Sequence, residues 1–234
     1  MQYYSMVHGI PYSECIMIPN AIEPFGLSRK NNYTPGDTIK LIYHTTPHRG
    51  LEILVNVFDQ LHPMWKESGI DVELDVYSSF SIYGWESRDD QFKDVFDKCK
   101  THPKINYHGS VSNEKVREAL LQSHIFAYPS IWPETSCLAA IEAMMSKNIM
   151  VAPNFAALPE TSKGLASMYQ YDERIGHHAA IFGEQLYNTA FHMNNSDPVD
   201  LDNYLMMQSN IMSLTHNWFK VKRDWEVLLE KLSA

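Results

Sequence analysis

Between Thr38 and Ala152 the chain alternates between short β-branched or aromatic runs and segments whose apolar residues recur at helical spacing. Alternation of this kind with short links restricts a chain to α/β folds, in which a parallel sheet is covered by helices on both faces. The pattern predicts strands over Thr38–His44, Val72–Tyr77, Ile105–His108, Ile125–Tyr128 and Ile149–Ala152. Leu51, Leu54, Val55, Phe58 and Leu61 mark a helix that Pro63 should end, because proline lacks an N–H and clashes with the preceding turn. Further helices are expected over Asp89–Lys98, from an N-cap at Ser112 through Leu121, and over Ser136–Ser146. From about Gly176 the chain reads as mostly helical, with a last piece over Trp218–Leu232. The start differs. Glu23–Asp37, with Pro24, Gly26, Asn31, Asn32, Pro35 and Gly36, is dense in turn formers and reads as a linker. Before it, Cys15–Pro19 is a short apolar run of strand character. Residues 1–37 are therefore expected to be a linker and junction remnant, and 38–234 a single Rossmann-like domain.

The 234 residues suffice for one large α/β domain with a buried core. A net charge of −9 argues against DNA or RNA as the main partner, since nucleic-acid binders present a basic face. An anionic ligand would have to be held locally, by a few aimed donors. Cys15, Cys99 and Cys137 are odd in number, widely spaced and without a CxxC pair, which fits reduced thiols and a cytoplasmic setting. No run of about 18 apolar residues predicts a spanning helix. The opening Met1–Tyr4 lacks the basic and apolar blocks of a signal peptide.

Ligands of open parallel sheets bind beyond the carboxyl ends of the strands. Two such ends stand out. In His44-Thr45-Thr46-Pro47-His48-Arg49-Gly50 a guanidinium and two hydroxyls sit at a helix entry, a combination suited to a phosphate or diphosphate. The plainer reading makes Thr45 and Thr46 helix caps and Arg49 a solvated residue. In Pro129–Met144, Glu134 lies in the loop and Glu142 on the following helix, with small residues at the helix start. Carboxylates so placed could bracket a hydroxyl-rich ligand whose anionic part meets the free N–H groups of Thr135 to Leu138. Alternatively, Glu134 only favours the helix dipole and Glu142 is an ordinary surface residue.

The second segment resembles the E-x7-E region of family 4 glycosyltransferases, the group-1 transferases of GT-B fold. Their pattern, P-S followed by E-x7-E-A-M, is matched here by Pro129, Ser130, Glu134, Glu142, Ala143 and Met144, in the same order. Ile18-Pro19-Asn20-Ala21-Ile22 is similar to the P-N-G-I segment at the domain junction. His44 to Leu51 resembles the phosphate-binding R-x(4-6)-K/R-G stretch, notably the S-x-P-x-R-G-L subgroup. Tyr107-His108-Gly109-Ser110-Val111 resembles the F-x-G-x-V loop, and Trp218 with Trp225–Leu229 the terminal F-S-W region. The matches keep the family's order and cover nearly the whole chain. Ala21 replaces a glycine, Glu134-Thr135-Ser136-Cys137 replaces E-G-F-G, and Tyr77-Ser78-Ser79-Phe80 stands where a G-x-G loop is usual. The basic residue usually upstream of Arg49 is replaced in the region of His44 and Thr45.

The resemblance implies the nucleotide-sugar-binding half of a retaining glycosyltransferase. It assigns Arg49 and Glu134 catalytic roles, Arg49 on the diphosphate and Glu134 on donor-sugar hydroxyls. Glu142 would take the ribose hydroxyls, and Gly109, Ser110 and Val111 would read the base. Thr45, Thr46 and the backbone of Thr135, Ser136, Cys137 and Leu138 would complete the donor site. The expected partners are the nucleotide-sugar donor and an N-terminal acceptor domain, since only a fragment's worth of chain precedes Pro19. Any membrane contact is expected to be peripheral and through that domain. No cofactor and no metal are expected: no Asp-x-Asp pair stands at a strand end, and adjacent His177 and His178 on a helix would diverge. A non-catalytic nucleotide-sugar-binding or regulatory domain is the alternative. A GT-B epimerase needs a different set of acids, and a flavodoxin-like signalling domain needs a phosphorylatable Asp at a later strand end.

Overall fold

The computed structural model describes residues 2–24 and 32–233, and the side chains from Ser5 onward. Residues 25–31 of the expected linker lie outside the described part.

Six parallel strands form one sheet in the order β3-β2-β1-β4-β5-β6. They are β1 (Ile39–Tyr43), β2 (Val72–Val76), β3 (Ile105–Tyr107), β4 (Ile125–Ala127), β5 (Ile149–Pro153) and β6 (Ser167–Tyr169). β1 lies at the centre, pairing Leu41 with Leu74 on one side and with Ile125 on the other. Its Ile39, Leu41, Ile42 and Tyr43 are fully buried, as a strand covered on both faces must be. The strand order reverses between β1 and β4. The loops after these two strands therefore leave in opposite directions and open a crevice at their carboxyl ends.

Helices fill both faces. α1 (Gln2–His8) precedes the sheet, and α2 (Leu51–Glu67), α3 (Lys93–Thr101), α4 (Asn113–Leu120), α5 (Leu138–Met145) and α6 (Leu158–Thr161) follow successive strands. α7 (Ile175–Asn195), α8 (Pro198–Thr215) and α9 (Trp218–Ser233) end the chain. α2 packs on α7 and α3, whereas α5 packs on α8 and α4. None of the described helices is long and apolar enough to cross a membrane.

Several sequence expectations are corrected. α2 does not stop at Pro63 but continues to Glu67, with the proline inside it. A helix-interior proline costs about 3 kcal/mol. That cost is met by Trp65, which is fully buried between Phe58 and Tyr187 and needs the extra turn to reach them. Cys15–Pro19 has no regular structure: Ile16 and Met17 are exposed and no strand edge is within reach. The helix expected from Asp89 is 3-10 over Glu86–Phe92 and becomes α-helical only at Lys93; Asp89 accepts from the Phe80 N–H at 2.8 Å and the Ser79 hydroxyl at 2.5 Å. Ser112 stands at the N-cap of α4 but its side chain makes no capping bond. β6 is an additional edge strand, whose Ser167-Met168-Tyr169 carries no β-branched residue to mark it in the sequence.

Residues 20–22 are docked rather than free. The Ile22 N–H bonds the His216 carbonyl at 3.0 Å, and Ile22 forms a parallel bridge with Asn217. Asn20 Nδ2 donates to the Ser136 carbonyl at 3.1 Å, just before α5. α9, by contrast, buries only Val221 and leaves Trp218, Phe219, Trp225 and Leu232 exposed.

Candidate active site

Four loops meet at the carboxyl ends of β1 to β4 and enclose a cleft of about 450 Å³. From β1 come His44, Thr45, Thr46 and Arg49; from β2, Tyr77, Ser79, Ile82 and Tyr83; from β3, Gly109, Ser110 and Val111. The loop after β4 and the start of α5 supply Trp132, Thr135 to Leu138, and the carboxylates Glu134 and Glu142. All the residues selected from sequence line this one cleft. A roomier cleft of about 660 Å³ lies between α7 and α8. It sits at the amino ends of β5 and β6 and has no guanidinium, and the α8 N-terminus beside it is already capped by the Asp197 carboxylate, so the smaller cleft is the better ligand site.

Gly50 makes the closeness possible. Its φ of 123° lies outside the range that side chains tolerate, and a Cβ there would fall 2.2 Å from the Pro129 carbonyl oxygen. The turn after β1 thus abuts the loop after β4, and Ile131 N–H reaches the Arg49 carbonyl at 3.4 Å. Arg49 then forms an ion pair with Glu134, 85 positions later. Glu134 is 7% exposed and also accepts from the Tyr128 hydroxyl at 2.5 Å. Thr46 does not cap α2; its hydroxyl instead accepts from Arg49 Nε at 3.2 Å, while its carbonyl accepts from the Tyr43 hydroxyl at 2.9 Å. Burial opposes the charge on Arg49, but Glu134 and Tyr128 outweigh it and raise its pKa further. The guanidinium is therefore a fixed cation with one face toward the cleft and 22% of its side chain exposed.

Glu142 Oε1 accepts from Arg117 Nε and Nη2, both at 3.2 Å. Burial raises its pKa, and Arg117 works against that rise. Between the two carboxylates, α5 begins at Leu138 with Cys137 as N-cap and no side-chain capping bond, and Leu138 and Ala139 of its first turn line the cleft. Cys137 is buried, and burial followed by nearby Glu134 pushes its thiol up to about 12, which makes it a packing residue. Gly109, at φ 65°, turns the chain after β3 so that Ser110 and Val111 line the far end.

Sequence reasoning missed Tyr128, Arg117 and the state of His44. Tyr128 falls in an expected strand and Arg117 in an expected helix, and only folding brings them to Glu134 and Glu142. Tyr83 lines the cleft, whereas Trp85 stacks under the Arg88 guanidinium beside it. His177 and His178 do diverge. His177 pairs with Asp172, and buried His178 approaches the Tyr169 hydroxyl at 3.1 Å. Among the described residues no three His, Cys, Asp or Glu side chains stand close enough to hold a metal ion.

Residues 30–166, the span that builds the cleft, match the family model described as glycosyl transferases group 1. The chain belongs to this family. No curated protein matches this group 1 glycosyl transferase significantly. Among solved structures it is similar to a glycosyltransferase from Rickettsia africae, with TM-score 0.73 and 16% identity. That match covers 99% of this chain and 61% of the other. A sucrose-phosphate synthase from Thermosynechococcus elongatus gives TM-score 0.64 and 15% identity over 85% of this chain and 46% of that one. S. aureus TarM, solved with UDP, gives 0.65 and 15% over 97% and 42%. At such identities the likeness shows the fold, the Rossmann-like layer of GT-B glycosyltransferases. The group 1 chain spans 61% or less of the length of these structures.

Proposed function

We propose that this chain is the C-terminal, donor-binding half of a retaining family 4 glycosyltransferase, which holds a nucleotide-diphospho-sugar for transfer to an acceptor. The observation that carries the reading is the cleft at the β1–β4 switch point. It has a fixed cation, an uncapped helix N-terminus and two carboxylates along one wall. The diphosphate takes Arg49 and the α5 N–H groups. Glu134 then exchanges its Arg49 partner for sugar hydroxyls, and Glu142 offers its second oxygen to the ribose. As the glycosidic bond breaks, negative charge builds on the leaving diphosphate, and donors already aimed at it lower the barrier. The acceptor site and the second wall of the cleft belong to a further domain, consistent with the share of the solved structures that this chain spans. The docked P-N-A-I segment is the junction between the halves, with 38–234 as the donor domain. Reduced cysteines, all three free, fit a cytoplasmic setting.

The test is thermal unfolding with a panel of nucleoside diphosphates and their sugars. A ligand at 100 times its Kd should add about 2.7 kcal/mol of stability. Arg49→Ala should remove most of that shift. A wild-type melting curve that no nucleotide moves would overturn the reading.

A further inference from the structure

Among the described residues that line the cleft, His44 and Thr45 carry buried side-chain polar atoms that no hydrogen bond satisfies. His44 leaves the carboxyl end of β1, the central strand, and lines the cleft beside Thr45 and Arg49. Both of its ring nitrogens are shut off from solvent and lack a hydrogen-bond partner; so does the Thr45 hydroxyl next to it. The ring packs against Phe126 of β4 at 4.7 Å. An imidazole buried with neither nitrogen satisfied is costly, and such groups are kept where a ligand supplies the missing partner.

We propose that His44 is the second cationic contact to the diphosphate of a nucleotide-sugar, taking up a proton as the ligand binds. The inference rests on the donor-domain reading above. In the free protein, burial holds the imidazole neutral, down to about 4, with the Ala139 backbone pulling weakly the other way. Three charged groups share its cleft: Arg49 from its own segment, Glu134 from the loop after β4 and Glu142 from α5. Tyr77, Tyr83 and Cys137 are the other titratable groups there. Arg49 opposes protonation. The carboxylates favour it, but each is already paired with an arginine. A diphosphate brings two negative charges next to a ring that has none to balance it, and so reverses the preference for the neutral form. The ring turns from its seat against Phe126 into the cleft as the ligand arrives, takes a proton from solvent, and donates it from a ring nitrogen in a hydrogen bond to a phosphate oxygen. With this proton the ligand meets two cations, although the chain carries only one permanent one at this wall.

The experiment titrates the whole chain with UDP-, ADP- and GDP-glucose by calorimetry, between pH 8 and 6, in buffers of low and high ionisation enthalpy. A nucleotide-sugar is used because its diphosphate is esterified at both ends and does not itself titrate in this range. The expected result is net proton uptake and an affinity that rises toward tenfold for each unit of acidification. His44→Gln should abolish both and bind with the weaker affinity that wild type shows at high pH. Should that variant fail to fold, ring NMR of histidine-labelled wild type decides: one imidazole must become protonated on ligand addition. Tight binding without proton uptake, or uptake that persists in His44→Gln, would overturn the assignment while leaving the donor site standing. Absence of binding by every nucleotide-sugar at every pH would overturn the donor reading, and this inference with it.

Discussion

A single glycine decides whether the residues of the cleft can meet. Without Gly50 the β1–α2 turn would have to move off Pro129, and Arg49 would no longer reach Glu134. The expected result of Gly50→Ala is therefore a double loss. Stability should fall by about 2 kcal/mol or more, from the left-handed backbone together with the clash against the Pro129 carbonyl. The nucleotide-dependent thermal shift should fall too. Chemical denaturation and the thermal-shift panel check the two effects separately. An unchanged midpoint would mean that the turn relaxes freely and that Gly50 does not set the geometry. Gly36 makes a useful contrast, since an added Cβ there meets nothing within 4 Å and its substitution should leave the cleft intact.

At the scale of elements, the anion site proposed above is shared between the α5 N-terminus and the turn after β1. Neither is sufficient alone: α5 is short, and Arg49 in the free protein is already neutralised by Glu134. Brought together, they supply first-turn N–H groups and a guanidinium on the same side of one crevice. On the proposed reading, diphosphate charge so balanced is expected to need no divalent ion. Nucleotide binding measured calorimetrically should thus be the same in chelator as in magnesium or manganese. A Kd that weakens more than about tenfold in chelator would show that a metal carries part of the charge. The element that sequence handled worst, α2 beyond Pro63, teaches the complementary point. Proline's local penalty is real, but it is smaller than the value of seating Trp65.

For the whole molecule, acid stability should be governed by buried histidines. His44, His48, His102, His178 and His216 are all held below the ordinary 6.5, in each case chiefly by burial. Their folded-state values are depressed, so the neutral form belongs to the fold and the unfolded chain takes up the protons. Their contribution is fully present above pH 6.5 and is lost as pH falls through the folded values, toward about 4 for His44. Each contributes up to about 1.4 kcal/mol per pH unit inside its own window. Urea midpoints should therefore decline from pH 6.5 downward, and His44→Gln should flatten the lower part of the decline. Midpoints that stay level to pH 4.5 would contradict this. Raised-pKa Glu142 acts in the opposite sense, losing its contribution as pH rises through its folded value, so it does not mimic the acid effect.

The α/β class, five of the six strands and the two chemically loaded strand ends are legible in the sequence, because period and residue type are local properties that survive without a fold. The cleft residues are legible for the same reason: a guanidinium beside hydroxyls and two carboxylates eight positions apart keep their chemistry wherever they land. Tertiary structure alone decides the order 3-2-1-4-5-6, which places those ends side by side at the switch point. It also pairs Arg49 with Glu134 and Arg117 with Glu142, partners 85 and 25 positions apart. It carries α2 past its proline and strands the nitrogens of His44 without a partner. Each of these depends on which groups burial brings into contact and which it deprives of water, and neither is encoded at any fixed spacing along the chain.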